Sequence, residues 1–382
     1  MTARTRRARA GLFAAFASLG VTAAFVPAVL PSTERALATD LSAAVPALFA
    51  GLLFGVLLSG PLLTRRSTHV TLMLGSALQA AAIVAASVAD APAVFIAAAS
   101  VAGFGFGLVE ASGSVAAKSV ATGSATGLLN ALLGTVAVCA AVTPLLVAVG
   151  SGMRPMLGIL AIVPLLTLAM LVGSTAPTSP ATAPAHRDVR GLLVLLPFAV
   201  ALPLYVGVET VLSGWSAVIP ARILAVDPGL AALGTSAFWT LMAIGRFSAA
   251  GLRHLSVSPI VILVSATSGA AVLMATAGLL VGSAPGAALI ALAAVVVLLA
   301  PSYGVILGLA LDRLDPARSA AVTGALVACG AVGGTFVPTV VLLIGRDPAS
   351  NATFLVSAAL CALVPVLMLI ASRQRQTRSA TS

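Results

Sequence analysis

Two glutamates are the residues of this sequence whose placement most strongly indicates chemistry. Of the ten acidic residues, only Glu110 and Glu209 lie inside long apolar segments, and the other eight lie in loops or at segment ends. A carboxylate at membrane depth costs about 2.5–3.5 kcal/mol on insertion scales, and it usually marks a binding site or pathway that faces away from lipid. We favour this interpretation over a carboxylate that a neighbouring helix satisfies for packing alone. A group that takes up and releases a proton there would allow proton coupling.

The residues around Glu209 form a polar stripe. The stretch 202–222 reads LPLYVGVETVLSGWSAVIPAR, and on a helix Tyr205, Glu209 and Ser213 lie one turn apart, with Ser216 close to the same face. Trp215 lies off this face, near the end of the segment, which is typical of a residue in an aromatic belt at the membrane surface.

The second glutamate lies in the stretch GFGFGLVEASGSVAAKS. Ser114 follows Glu110 by one helical turn, where it could offer a hydrogen bond. Gly103 and Gly107 are spaced for close approach of another helix, and no strand-turn-helix unit surrounds them to form a dinucleotide site. Packing explains the glycines but does not explain the glutamate.

Four further side chains are candidates for a solute site within apolar segments. An amide there needs hydrogen-bonding partners, and an aromatic ring can either line a cavity or fill the core. For the two aromatic residues both alternatives stay open. The candidates are Gln79, Asn130, Trp239 and Tyr303.

The sequence has no constellation typical of an enzyme. It contains no His/Asp/Ser grouping, no His–Cys cluster and no phosphate-binding loop, and its three cysteines lack metal-ligand spacing. We therefore expect no enzymatic activity, no metal and no cofactor, with a proton gradient as the energy source.

Composition indicates an integral membrane protein. Hydrophobic residues make up 60% of the 382 positions and charged residues 8%, and the mean hydropathy is +1.15. Soluble domains have roughly 45–50% apolar and 25% charged residues. The net charge of +10 is better explained by basic loops at a membrane surface than by nucleic-acid binding.

The apolar segments predict an all-α membrane protein with twelve transmembrane helices. Each segment offers about 20 mostly apolar residues. Sixteen of the twenty Lys and Arg residues, Arg246 among them, fall on one side, so this side is predicted to be cytoplasmic and to hold both termini. The segments are 11–30, 43–63, 70–89, 92–116, 126–149, 156–174, 192–219, 230–251, 258–281, 285–311, 318–344 and 351–371.

The first segment could also be a signal peptide, because basic residues precede it and the sequence 36–38, ALA, resembles a cleavage site. Its run of about 20 apolar residues is longer than a usual signal sequence. Cleavage would also leave an odd number of spans. We favour an uncleaved first helix.

A hydrophilic stretch divides the spans into six and six. Residues 175–190 are rich in Pro, Ala, Ser and Thr and are predicted to form a cytoplasmic linker. The expected domains are an N-terminal six-helix bundle, 1–174, and a C-terminal six-helix bundle, 191–382. Pro144 and Pro338 follow similar small-residue tracts at an offset that also relates Gly51 to Gly245, which suggests two parallel repeats.

These residues resemble the major facilitator superfamily, and within it the fucose permease-like sugar/proton symporters. YVGVETVLSGW, 205–215, resembles the seventh-helix signature of that group, and LNALLGTVAVCAAVTP, 129–144, is similar to its L-N-x-L-H-G pattern. WTLMAIGR, 239–246, is similar to the eighth-helix pattern, and GAVGGTFVP, 330–338, to the eleventh. Leu133 replaces a common His, Thr64 replaces an Asp of the second loop, and the first helix lacks an acid.

The resemblance implies a major facilitator fold and alternating access of a midplane site. We expect a secondary transporter that moves a sugar or related polar metabolite, coupled to protons through Glu110 or Glu209. The expected setting is a monomer in the lipid bilayer of a bacterial inner membrane, with no nucleic-acid partner. Two alternatives stay open: a proton-driven exporter of lipophilic compounds on the same fold, and a membrane scaffold or sensor that transports nothing.

Overall fold

The computed structural model describes residues 3–65, 67–120, 125–150, 154–172, 194–252, 258–311, 313 and 316–379. These residues form helices joined by short turns, and no strand occurs among them. In chain order the α-helices are α1 (Ala3–Leu37), α2 (Ala44–Arg65), α3 (Thr68–Val88), α4 (Pro92–Val120), α5 (Ala125–Gly150), α6 (Ile162–Leu171), α7 (Leu196–Gly214), α8 (Val218–Leu224), α9 (Pro228–Ala231), α10 (Leu233–Leu252), α11 (Pro259–Leu280), α12 (Pro285–Leu299), α13 (Ser302–Leu311), α14 (Pro316–Gly345) and α15 (Asn351–Ser379).

Twelve helical stretches in the described residues are long and apolar enough to cross a membrane, and each overlaps one predicted segment. The prediction of an all-α protein with twelve spans is confirmed. Large apolar side chains such as Phe54, Val149 and Leu343 are exposed along these stretches, as expected for helix faces that contact lipid. The cytoplasmic position of both termini stays a prediction.

The sixth span begins in a tighter helix than predicted. Residues Arg154–Ala161 form a 3₁₀-helix that continues directly into α6. The Arg154 guanidinium donates to the carbonyl of Ala89 at 3.0 Å, just past the end of α3, and more weakly to that of Ala86 at 3.4 Å. Arg154, which precedes the predicted sixth segment, 156–174, therefore caps α3, because the last carbonyls of that helix have no partner within it.

Two predicted continuous segments are interrupted. The seventh, 192–219, ends as α7 at Gly214 and resumes after a turn as α8. The tenth, 285–311, breaks at Ala300 and Pro301, between α12 and α13. Pro301 has no backbone N–H to give to the carbonyl four residues earlier, and its ring crowds that carbonyl. Hydropathy alone did not predict these interruptions.

The chain forms two compact units. Unit 1 comprises residues 1–182 with 216–221 and 226–239, and unit 2 comprises 183–215, 222–225 and 240–382. The expected domain limits at 174 and 191 lie outside the described residues, as does the expected linker 175–190.

Unit 1 is held together by close backbone packing and an apolar core. A Cβ atom on Gly103 would overlap the carbonyl oxygen of Leu48, so only glycine lets α4 approach α2 so closely. The predicted packing role of Gly103 is confirmed. The core joins α1, α3, α4, α5 and α6 through side chains that include Phe16, Leu19, Leu72 and Leu132.

In unit 2, a glycine likewise allows close packing of two helices, α7 and α14. A Cβ atom on Gly333 would overlap the carbonyl of Pro203. α7 also packs against α15 and α13. This packing places Glu209, on α7, among the other helices of unit 2.

Candidate functional site

The Glu209 carboxylate is paired with an arginine inside unit 2. The Arg246 guanidinium of α10 lies 3.8 Å from it, measured from Nη2 to Oε1. The Glu209 side chain is 18% exposed and that of Arg246 is 46% exposed. At this distance the two charges attract each other without forming a short hydrogen bond. Each charge thus has an opposite charge nearby inside an apolar bundle, while almost half of the Arg246 side chain stays exposed.

Arg246 also reaches the interruption between α12 and α13. Its Nε donates to the carbonyl of Ala300 at 3.4 Å. The preceding residue, Gly245, makes this possible, because a Cβ atom there would overlap the carbonyl of Val297 on α12. Gly245 thus allows the close approach of α10 to α12, and the next residue, Arg246, forms the hydrogen bond to Ala300.

Two tyrosines complete the site. The rings of Tyr205 on α7 and Tyr303 on α13 have centroids 6.4 Å apart and are tilted by 40°. The Tyr205 hydroxyl is buried and interacts with the Glu209 carboxylate and, electrostatically, with Arg246, but among the described residues its contact with Glu209 does not reach good hydrogen-bond geometry. The hydroxyl of Ser302, the residue before Tyr303, is also buried, and no described residue forms a hydrogen bond with it. Buried hydroxyls normally have partners, so these two suggest a place for water or solute.

The rest of the predicted stripe does not continue this site. The Ser213 hydroxyl donates to the carbonyl of Thr210 in its own helix. Ser216 lies beyond the end of α7, and its hydroxyl bonds to that of Thr235 at 2.8 Å. Placing Ser216 on the Glu209 face was wrong because α7 ends at Gly214. The belt interpretation of Trp215 was also wrong, since its side chain is completely buried.

Arg246 is the residue of this candidate site that the sequence reasoning did not select. It lay inside the predicted segment 230–251 but was counted only among the bases of the cytoplasmic side, and the structure places it in α10, paired with Glu209. The available signal was the WTLMAIGR motif, which places an arginine after a glycine within an apolar segment.

The candidates of unit 1 are not assembled into a comparable cluster. Glu110 on α4 is partly buried, and no hydrogen bond or ion pair to it is found among the described residues. Ser114, one turn on, is also partly buried. Gln79 on α3 is fully buried near Gly105, and neither atom of its amide has a partner within the described part of the chain. Their roles stay predictions.

The two remaining candidates are less informative. Asn130 belongs to α5, but its side chain lies outside the described residues. Trp239 is partly buried and packs edge-on against Phe238, with ring centroids 5.5 Å apart. This contact favours the packing alternative for Trp239. In the described ranges, no group of three His, Cys, Asp or Glu side chains could hold a metal ion.

The fold is shared with known membrane transporters. A D-xylose–proton symporter matches with a TM-score of 0.76 at 16% identity, over 95% of this chain and 96% of its own. The fucose:proton symporter of E. coli matches with a TM-score of 0.62 at 16% identity, over 95% and 98%. A POT family transporter solved with 5-aminolevulinic acid matches with a TM-score of 0.76 at 12% identity, over 96% of both chains.

These matches show that the chain has the major facilitator fold, as the sequence motifs implied. No protein-family model matches the chain, and no curated protein matches it in sequence.

Proposed function

We propose that this protein is a secondary active transporter that moves a sugar or related polar metabolite across a bacterial inner membrane by alternating access, in symport with protons. The observation that carries the proposal is the Glu209–Arg246 pair at the interruption between α12 and α13, with Tyr205 and Tyr303 beside it. A carboxylate, an exposed guanidinium and buried hydroxyls at membrane depth suit a polar solute and a proton.

The comparisons support the same class. Two of the matched structures are described as proton symporters, one of D-xylose and one of fucose. Others are described as nucleoside and peptide transporters, so the fold alone does not select a sugar. Glu110 would contribute a second protonatable group from unit 1.

The test is solute-evoked proton movement in proteoliposomes that hold the purified protein. A panel of sugars and related metabolites would be added to the wild type and to the Glu209→Gln and Glu110→Gln variants. We expect a pH change with at least one solute, and its loss in one of the two variants. Asp90→Asn is the matched control, because Asp90 is an exposed acid between α3 and α4.

Two outcomes would contradict this proposal. Movement of lipophilic cations alone, dependent on the same glutamates, would identify an exporter. Absence of any transport by protein that is folded and correctly inserted would favour a scaffold or sensor.

A further inference from the structure

We infer that the site formed by Glu209, Arg246, Tyr205 and Tyr303 takes a hydroxylated monocarboxylate, for example a sugar acid, together with one proton. The inference rests on the proposed transport function and adds the chemical class of the solute. Three observations carry it: the charge balance of the ion pair, the accessible donors of Arg246 and the buried hydroxyls near them.

The first observation is charge. With Glu209 ionised, the Glu209–Arg246 pair has no net charge, and each charge compensates the other. A proton taken up by Glu209 leaves the Arg246 cation without its counter-ion inside the bundle, where an uncompensated charge is costly. A monoanionic solute restores neutrality, whereas a neutral sugar bound with a proton leaves a net positive site. A proton and a monoanion therefore match this pair.

The groups that act on Glu209 are few in the described part of unit 2. Arg246 and Tyr205 interact with it electrostatically, and Tyr303 lies against Tyr205. The described parts of α12, α13, α14 and α15 that pack near α7 offer no second carboxylate between their ends. The solute itself is therefore the group that can replace Glu209 as the partner of Arg246.

The second observation is the state of the guanidinium. Arginine has five N–H donors in a planar fork that matches a carboxylate with two parallel hydrogen bonds. Here Nε is engaged by the Ala300 carbonyl at 3.4 Å, and Nη2 is 3.8 Å from Glu209, beyond a normal hydrogen bond. Because 46% of the Arg246 side chain is exposed, it has room for a further partner such as a solute carboxylate.

The third observation concerns the hydroxylated part of the solute. The Tyr205 hydroxyl is buried, interacts with both charges and lacks a well-placed partner among the described residues. The Tyr303 ring stands 6.4 Å from the Tyr205 ring and supplies an aromatic surface. A solute with a carboxylate at one end and hydroxyls along its length would contact Arg246, the Tyr205 hydroxyl and the Tyr303 ring.

The experiment compares solutes that differ only at one carbon. Proteoliposomes with the full chain would be tested with D-glucuronate against D-glucose, and with D-galacturonate against D-galactose. We expect an inwardly directed proton gradient to drive accumulation of the acid of at least one pair, with at least tenfold preference over its neutral partner. Because one proton moves with one monoanion, a potassium diffusion potential should not change the uptake.

The variants separate the roles of the two charges. Arg246→Gln should reduce the apparent affinity for the acid at least tenfold, and Arg246→Lys should restore part of it. Glu209→Gln should keep exchange of labelled for unlabelled acid but lose accumulation driven by the proton gradient. Arg222→Gln is the control, because Arg222 is also paired with an acid of unit 2, Asp347, at 3.1 Å, but lies outside this site.

Equal uptake of the sugar and its acid, or acid uptake that Arg246→Gln leaves unchanged, would overturn the inference while the proposed function stands. Failure to move any of the four solutes, when another polar solute moves with protons, would do the same. If no polar solute of the larger panel is transported, both the inference and the proposed function are wrong.

Discussion

Glu209 and Arg246 form an ion pair 3.8 Å apart, and the arginine of this pair also binds the Ala300 carbonyl at the interruption between α12 and α13. The carboxylate, the guanidinium and the broken helix are thus linked in one chain of contacts. A substitution that moves any one of the three should therefore alter the contacts of the other two.

The first prediction concerns the energetic coupling of this pair. Glu209→Gln or Arg246→Gln alone leaves one charge uncompensated, and we expect each to destabilise the protein by about 1–3 kcal/mol, below the range of fully buried pairs. The double variant should lose less than the sum, with a coupling of about 1 kcal/mol. Thermal unfolding in detergent of the four proteins measures this. Strictly additive losses would mean that the pair contributes nothing.

The second prediction concerns Gly245. A Cβ atom at this position would overlap the Val297 carbonyl, so Gly245→Ala must push α10 away from α12 and draw Arg246 away from Ala300. We expect about 1–3 kcal/mol of destabilisation from overpacking, together with loss of transport. Gly308→Ala is the control, since nothing lies within 4 Å of a Cβ built there. Equal behaviour of the two variants in unfolding and transport assays would contradict the prediction.

The third prediction uses the two tryptophans of the chain. In a Trp239→Phe variant the fluorescence comes from Trp215 alone, and because that side chain is completely buried we expect blue-shifted emission that brominated lipids do not quench. In the Trp215→Phe variant, acrylamide should quench the fluorescence of the partly buried Trp239 more strongly than it quenches Trp215 in the Trp239→Phe variant. Lipid quenching of Trp215 would instead support a place in an aromatic belt.

The fourth prediction concerns pH and the exposed Arg35–Asp227 ion pair of unit 1, 3.0 Å apart. The Gly229 amide, and then the Arg35 guanidinium, hold the pKa of Asp227 below its usual value. A carboxyl with a lowered pKa stabilises the folded state at pH values above its unfolded pKa, about 3.9, and this contribution is lost as the pH falls through the folded pKa.

Any difference in thermal stability between the wild type and Asp227→Asn should therefore be constant from pH 8 to about pH 5 and disappear only in stronger acid. The difference in thermal stability between the wild type and Arg35→Gln should follow the same pH profile but be smaller, because the contact between the Gly229 amide and Asp227 remains. A difference that varies between pH 8 and pH 6 would assign the effect to another group.

Much of the fold could be predicted because its physical causes are local. Twelve apolar stretches are visible in the sequence, and the cost of a carboxylate in lipid singled out Glu209. Tyr205 lies one turn from Glu209 on the same helix, so helical spacing alone placed it correctly. Gly103 was recognisable because close helix approach needs a small residue.

The rest depends on contacts between distant parts of the chain. Hydropathy placed Arg246 inside the eighth segment, but it cannot show that the Glu209 carboxylate of α7 and the Ala300 carbonyl, at the interruption between α12 and α13, lie beside it. It also does not show that Pro301 would interrupt its helix, because many prolines within spans only bend them, and Pro144 and Pro338 lie inside unbroken helices here. Tyr303 was found by residue type, but its position opposite Tyr205 was not predictable.

The 3₁₀-helix at the start of the sixth span has a consequence for the fit between the protein and the thickness of its membrane. Eight residues at about 2.0 Å each and ten α-helical residues at about 1.5 Å each reach about 31 Å, whereas a uniform α-helix of the same residues would reach about 27 Å. The hydrocarbon layer is about 30 Å thick. Stretching its first turns thus lets a segment that is short for a span match the bilayer without thinning the lipid around it.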